Sequence, residues 1–123
     1  MSTLKVNTIQ NTSGVEVYTC KAWVNFNGTG TVAIRASGNV SSITDNGTGD
    51  YTVNFTNAMI DVNYSVSGNA MRNQAAGNNL TAMSIYPSTT YSDAFATSSF
   101  RTRTQDYGGG TQDPLAVTVA IFR

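Results

Sequence analysis

The sequence has no histidine, a single cysteine (Cys20) and few charged residues, and each scarcity excludes a class of function. Without histidine, a cysteine or serine nucleophile lacks the partner of the usual Cys/His or Ser/His catalytic pair. One cysteine cannot form an internal disulfide, and we expect it to be a small, buried, apolar residue. Seven basic and seven acidic residues give a formal net charge of zero. No long-range field therefore draws the chain to nucleic acid.

Long apolar runs are also missing. No segment approaches the roughly 20 apolar residues of a membrane-spanning helix. The opening residues 1–5 lack the apolar core of a secretory signal peptide. We therefore expect no membrane insertion, and synthesis and assembly in the cytoplasm. No motif calls for a cofactor, and none is expected.

Small polar residues take the place of charge. The 123 residues include 18 Thr, 12 Ser and 13 Asn, while charged residues make up 11% where about a quarter is usual. Threonine favours strands, and asparagine, serine and glycine favour turns. The length fits one domain. The composition therefore predicts a single domain with a neutral, polar surface.

Short runs of β-branched and aromatic residues recur along the chain, separated by turn residues, and no convincing helix period is present. The runs predict about nine strands, at residues 4–9, 15–26, 32–36, 40–44, 51–56, 64–68, 80–86, 98–104 and 115–122. That count and spacing predict an all-β fold, an antiparallel, jelly-roll-like β-sandwich. We expect residues 1–14 to form an N-terminal strand or attachment segment and residues 15–123 to form the sandwich domain.

Turns and strand faces follow from the same pattern. Glycine and asparagine at residues 27–30, 37–39 and 46–49 supply the positive φ angles that tight hairpins need. Val40 and Ile43 are three positions apart, so a regular strand would place these two apolar side chains on opposite faces. We therefore expect a β-bulge near residues 41–42. Side chains alternate along a strand. One face of the second run then carries Cys20, Ala22, Val24 and Phe26, and the other carries Lys21, Trp23 and Asn25.

The last strand is apolar on both faces. One face carries Leu115, Val117, Val119 and Ile121, and the other carries Ala116, Thr118, Ala120 and Phe122. In so small a domain, such a strand is either central to the sandwich or covered by another subunit.

Two runs resemble a module of tail-fibre and related structural proteins of phages, cyanophages included. They are Lys21-Ala22-Trp23-Val24-Asn25-Phe26-Asn27-Gly28-Thr29-Gly30 and Ile43-Thr44-Asp45-Asn46-Gly47-Thr48-Gly49-Asp50-Tyr51-Thr52-Val53-Asn54-Phe55. The opening residues 3–11 resemble the start of the same proteins, and the likeness continues weakly to residues 117–122. Nothing specific is similar between about residues 70 and 113.

The resemblance implies a non-enzymatic virion component, commonly a trimer, located at the tail periphery and active in adsorption or fibre assembly. Its partners would be other copies of the chain, other virion tail or fibre proteins, and host-surface glycan. Two alternatives remain open: a monomeric, lectin-like carbohydrate-binding module, and a capsid-surface fibre or adaptor. The resemblance supplies no receptor-contact residues.

Candidate site residues come from side-chain chemistry. Aromatic rings stack on sugars, and arginine binds anionic groups through two parallel hydrogen bonds. The receptor candidates on this basis are Trp23, Tyr86, Tyr91, Arg101, Arg103 and Tyr107. Trp23 equally suits a subunit interface. The interface candidates are Leu4, Val6, Ile9, Trp23, Ala116 and Phe122.

Two further site chemistries are weaker. Asp45 and Asp50 flank a turn rich in oxygen ligands, a pattern that a Ca²⁺ loop shares, but a plain hairpin is the preferred interpretation and no metal is expected. Glycoside hydrolysis needs two carboxylates across the bond, which Asp93 and Asp106, or Asp45 and Asp50, would have to provide. A polysaccharide-cleaving enzyme is therefore the third hypothesis, behind a non-enzymatic protein.

Overall fold

A computed structural model describes residues 2–73 and 82–123. Within these ranges the chain forms eight strands and one short 3-10 turn at Tyr91–Asp93. The strands are β1 (Cys20–Asn27), β2 (Ala33–Gly38), β3 (Val40–Gly47), β4 (Asp50–Phe55), β5 (Ser65–Met71), β6 (Ala82–Ile85), β7 (Ser99–Gln105) and β8 (Ala116–Phe122). Residues 80 and 81 of the predicted strand 80–86 lie outside the described residues.

The strands pair into two four-stranded sheets. The first sheet has the order β2-β1-β8-β5 and the second has the order β3-β4-β7-β6, with every neighbouring pair antiparallel. The predicted antiparallel β-sandwich is confirmed, and eight strands in two sheets is also the count of jelly rolls. β8 is central to the first sheet, between β1 and β5.

The core lies between the two sheets and follows the predicted alternation. Tyr51, Val53 and Phe55 of β4 are buried, as are Val24 and Phe26 of β1. The buried positions of β8 are Val117, Val119 and Ile121. The intervening residues of these strands point outward. Each sheet therefore has an outer face, and those two faces hold the candidate sites.

Asn39 connects the two sheets in a single residue between β2 and β3. The hairpin expected at residues 37–39 is therefore wrong, because β2 pairs with β1 and β3 pairs with β4. The φ of Asn39, 55°, is positive, as predicted for this turn. Its side chain donates to the carbonyls of Lys21 and Asn57, both at 3.0 Å, and accepts from the Asn57 amide at 2.7 Å. These bonds fix the corner, because asparagine tolerates the left-handed conformation and can satisfy the surrounding backbone.

Among the described strands the pairing register shifts at four places, and two of these shifts bear on the predictions. The first lies between Val40 and Ser42 in the β3–β4 pairing and confirms the bulge predicted from the spacing of Val40 and Ile43. The second lies between Cys20 and Ala22 in the β1–β8 pairing. It places Cys20 opposite the outward-facing Phe122, so the expectation of a buried cysteine is wrong and Cys20 is exposed.

The predicted strand at residues 4–9 is not formed, and the next strand begins at Cys20 rather than at residue 15. Residues 9–17 fold back on themselves instead. The Val17 amide donates to the Ile9 carbonyl at 2.7 Å, and Gly14 takes a positive φ of 78° in the turn. An apolar/polar alternation signals a strand only where a partner strand is available, and this short hairpin pairs with neither sheet.

Candidate functional site

The outer face of the second sheet is a hydrogen-bonded polar surface. Asn54 donates to the hydroxyls of Ser42 and Thr44 at 3.1 and 2.9 Å. Asn46 donates to the Thr52 hydroxyl at 2.9 Å. These bonds cross between β3 and β4, so the side chains are held in place by one another. The surface offers ordered polar groups at little further cost in side-chain entropy.

Arg101 of β7 is fully engaged on this face. Its Nε and Nη2 donate to the two carboxylate oxygens of Asp50 at 2.8 and 2.6 Å. The guanidinium carbon lies 3.8 Å from the centre of the Tyr86 ring. The Arg101 hydrogen bonds hold the pKa of Asp50 below its usual range. Arg101 therefore orders Asp50 and Tyr86 and is not a free cation.

Arg103 lies two residues further along β7, on the same outer face. It pairs in register with Asp50 of β4 on one side and with Ser84 of β6 on the other. Its Nε is buried and has no hydrogen-bond partner among the described residues. A buried donor without a partner is uncommon and costs free energy. Arg103 is therefore the member of the cluster with unused binding capacity.

A shallow cleft of about 390 Å³ opens beside Arg103. We call it the Arg103 cleft, and its lining side chains are Asn46, Thr48, Asp50, Tyr86, Arg103 and Thr111. The charges of Asp50 and Arg101 cancel, since the two groups form a bidentate ion pair. The cleft is left with one positive charge and a rim of amide and hydroxyl groups.

We expect Asp50→Asn to change how stability depends on pH. The folded-state pKa of Asp50 is depressed, so its contribution to stability is present above its ordinary pKa of 3.8 and is lost as pH falls through the lowered pKa. The wild type should therefore lose stability over this acid range, and the variant should lose less. Thermal melts from pH 7 to pH 2 measure this. Parallel acid curves for the two proteins would contradict the role of the ion pair.

The outer face of the first sheet has a different character. Trp23 is 44% exposed and packs over Gly38 of β2, where a β-carbon would collide with the indole. A groove of about 380 Å³ runs beside Trp23, lined by Asn25, Ser67, Asn69, Thr118 and Ala120. Phe122 and Met71 are exposed at 41% and 61%. We call this surface, the outward residues of β1, β8 and β5, the Trp23 face.

The structure separates the receptor candidates into groups. Tyr86, Arg101 and Arg103 come together at the Arg103 cleft. Tyr91 stacks on Phe95 with ring centres 4.6 Å apart and donates to the Val62 carbonyl. The other two candidates, Tyr107 and Trp23, lie respectively on a loop, 93% exposed, and on the opposite sheet.

The interface candidates also divide. Trp23, Ala116 and Phe122 share the outer surface of β1 and β8, with Trp23 opposite Ala120 in register. Leu4, Val6 and Ile9 lie in the N-terminal segment and are exposed.

The carboxylates proposed for a cation or for catalysis do not converge. Asp45 pairs with the inward-facing Tyr51 and accepts from the Gly47 amide, whereas Asp50 is on the outer face with Arg101. Asp106 accepts from the Gly110 amide and closes its own loop. Asp93 accepts from the Ser88 hydroxyl. Among residues 2–73 and 82–123 no three acidic or cysteine side chains are grouped to hold a metal ion.

Sequence reasoning did not find Asn46, Thr48 and Thr111 as cleft residues, and it did not connect Asp50 with Arg101. The alternation within β4 and β7 places Asp50 and Arg101 on outward positions, which was the available signal. The outward positions alone do not bring Asp50 and Arg101 together, because the sequence does not show that β4 and β7 are neighbouring strands.

Comparisons with protein-family models, with curated proteins and with solved structures found no match. In the described part of the chain no helix is long and apolar enough to cross a membrane.

Proposed function

We propose that the chain is a non-enzymatic virion protein of the tail-fibre type, which associates with copies of itself and adsorbs to glycan on the host surface. One observation supports this proposal above others. The two outer faces of the sandwich differ in chemistry, one presenting Trp23 and Phe122 and the other presenting the Arg103 cleft. The first suits a protein partner and the second suits a polar ligand. The virion location and the tail or fibre partners rest on the sequence resemblance.

Self-association through the Trp23 face is supported by the apolar side chains that this face exposes in the single chain. Trp23, Phe122 and Met71 are exposed on this face, and the other outward residues of β8 and β5 are short, which permits close approach of a second surface. Leu4 and Val6 offer further exposed apolar area on the same chain. The net charge of zero means that copies do not repel one another. A second copy is thus the occupant we propose, with a trimer as the expected state.

The mass in solution tests the proposal. We expect light scattering coupled to size exclusion to give three subunits for the wild type at micromolar concentration. Replacing Trp23 and Phe122 together by serine should reduce the mass to one subunit, because aromatic anchors supply much of the energy of an interface. Tyr107→Ser is the matched control, since it removes an aromatic that is 93% exposed elsewhere. A wild-type mass of one subunit would refute self-association.

A monomeric carbohydrate-binding module is the second candidate, and the Arg103 cleft favours it independently of the Trp23 face. It would replace the first if the wild type is a monomer that binds a defined glycan saturably. The absence of catalysis is also part of the proposal. It is supported by the engagement of Asp50 by Arg101, of Asp61 by Arg123 and of Asp113 by the Tyr51 hydroxyl. Release of oligosaccharide from host-envelope preparations would overturn it.

A further inference from the structure

Arg103 has a hydrogen-bond donor without a partner among the described residues, which indicates that a ligand of the cleft is negatively charged. Among the described residues, Arg103 lines a cleft whose one carboxylate, Asp50, already accepts hydrogen bonds from Arg101 and Asn46, and the Arg103 Nε is buried and unpaired. An incoming anion therefore meets one unmatched positive charge and a carboxylate that the neighbouring guanidinium neutralises. A cation would be repelled by the positive charge of Arg103, and it would have to displace Arg101 to reach the Asp50 carboxylate. The cleft thus favours a negatively charged group.

The shape and lining of the cleft narrow the ligand further. Guanidinium binds planar carboxylate through two parallel hydrogen bonds. Around that point stand the hydroxyls of Thr48 and Thr111, which can donate to and accept from sugar hydroxyls, and the amide oxygen of Asn46, which can accept from them, since its nitrogen donates to Thr52 and Asp50. A volume of about 390 Å³ is at the small end of ligand pockets, which range over about 300–1,000 Å³. It suits a ligand of one or two sugar units.

Nucleic acid and other polyanions fit less well. Their binding draws on several phosphate contacts from lysine and arginine. In the part of the chain that the structure describes, Arg103 is the one cation lining the cleft, and the neighbouring Arg101 is paired with Asp50. The formal net charge of the chain is zero, so no wider basic surface supports a polyanion.

We propose that the Arg103 cleft binds the carboxylate of a hexuronate unit within an acidic polysaccharide, with Asn46, Thr48 and Thr111 contacting its hydroxyls. Tyr86 lines the cleft, and the Arg101 guanidinium lies over its ring. This inference deepens the adsorption part of the proposed function and rests on it. It does not depend on the number of subunits.

Isothermal titration calorimetry with defined oligosaccharides tests the inference. The probes are a hexuronate tetrasaccharide, a neutral hexose tetrasaccharide and a sulfated hexose tetrasaccharide. We expect the wild type to bind the hexuronate and to bind the other two at least about tenfold more weakly. Arg103→Gln should weaken hexuronate binding by about tenfold or more, as expected for the loss of a charge-assisted hydrogen-bond pair. Arg103→Lys should fall between the two, because it keeps the charge without the fork.

Lys5→Gln is the matched control, since it removes one exposed positive charge that does not line the cleft and should bind as the wild type does. Circular dichroism and thermal melts establish that each variant is folded. Unchanged hexuronate binding by folded Arg103→Gln, or no hexuronate binding by the wild type, would overturn the inference. Equal binding of the sulfated probe would overturn the assignment of a carboxylate. Light scattering on the same samples separates this outcome from a failure of self-association, because a trimer that binds no hexuronate would refute only the ligand.

Discussion

Gly49→Ala is expected to destabilise the domain by about 3 kcal/mol or more, as the combined cost of overpacking and of a left-handed alanine. Gly49 has a φ of +66° in the turn between β3 and β4. A β-carbon there would collide with the Thr104 carbonyl oxygen and lie 2.8 and 2.9 Å from the backbone N and O of Gln112. These backbone atoms are held by hydrogen bonds, since the Gln112 amide donates to the Thr104 carbonyl and the Thr104 hydroxyl donates to the Gln112 carbonyl, so they cannot yield cheaply.

Gly30→Ala isolates the collision from the backbone strain. Gly30 has a nearly equal φ of +59°, but no atom lies within 4 Å of its added β-carbon. We expect a loss of about 1 kcal/mol for this variant, from the left-handed conformation alone. Chemical denaturation of the two variants measures the difference. Equal losses would show that the β7–β8 connection moves aside freely and that Gly49 is required only for its φ.

The turns and the core faces could be predicted because both depend on neighbours in sequence. Gly30, Gly47 and Gly49 have the positive φ angles expected of their turns. The alternation of apolar and polar residues in β4 predicts which of its faces is buried. The spacing of Val40 and Ile43 predicts the bulge between Val40 and Ser42. Local chemistry sets each of these features, so the sequence carries them directly.

Other features depend on which strand lies beside which. The bulge that exposes Cys20 arises in the pairing of β1 with β8, about 100 residues apart, and no local pattern reveals it. Residues 4–9 alternate as a strand does but have no sheet edge beside them. A pattern records what a segment is able to form, and the tertiary structure decides what it does form.

The candidate site also combines features that the sequence predicts with features that depend on strand pairing. Arg101 and Arg103 are equivalent in sequence terms, two outward arginines on one strand. The structure makes them different, because Asp50 and Tyr86 occupy Arg101 and leave the Arg103 Nε unpaired. Only the β4–β7 and β6–β7 pairings distinguish an arginine that supports the site from one that is available to a ligand.

Phe26→Ala is expected to be among the most destabilising single changes, by about 3–5 kcal/mol, the range for removing a buried phenylalanine ring. Phe26 is fully buried and meets Tyr51 edge-on, with ring centres 5.2 Å apart. Tyr51 cannot readily move into the space, since its hydroxyl donates to Asp113 at 2.7 Å and burial raises its pKa far above the usual value. The cavity should therefore remain, and a loss of this size is a large share of the stability of a typical domain, about 5–15 kcal/mol.

Phe122→Ala removes the same ring from the opposite face of the same sheet, where it is 41% exposed. For the isolated subunit we expect a change within about 0.5 kcal/mol, as for most surface substitutions. Chemical denaturation over a hundredfold range of protein concentration tells the two effects apart. Loss of a core contact is independent of concentration, whereas loss of an intersubunit contact lowers apparent stability more as concentration rises. A concentration-independent effect of Phe122→Ala would place that ring in the fold of the subunit and remove it from the proposed interface.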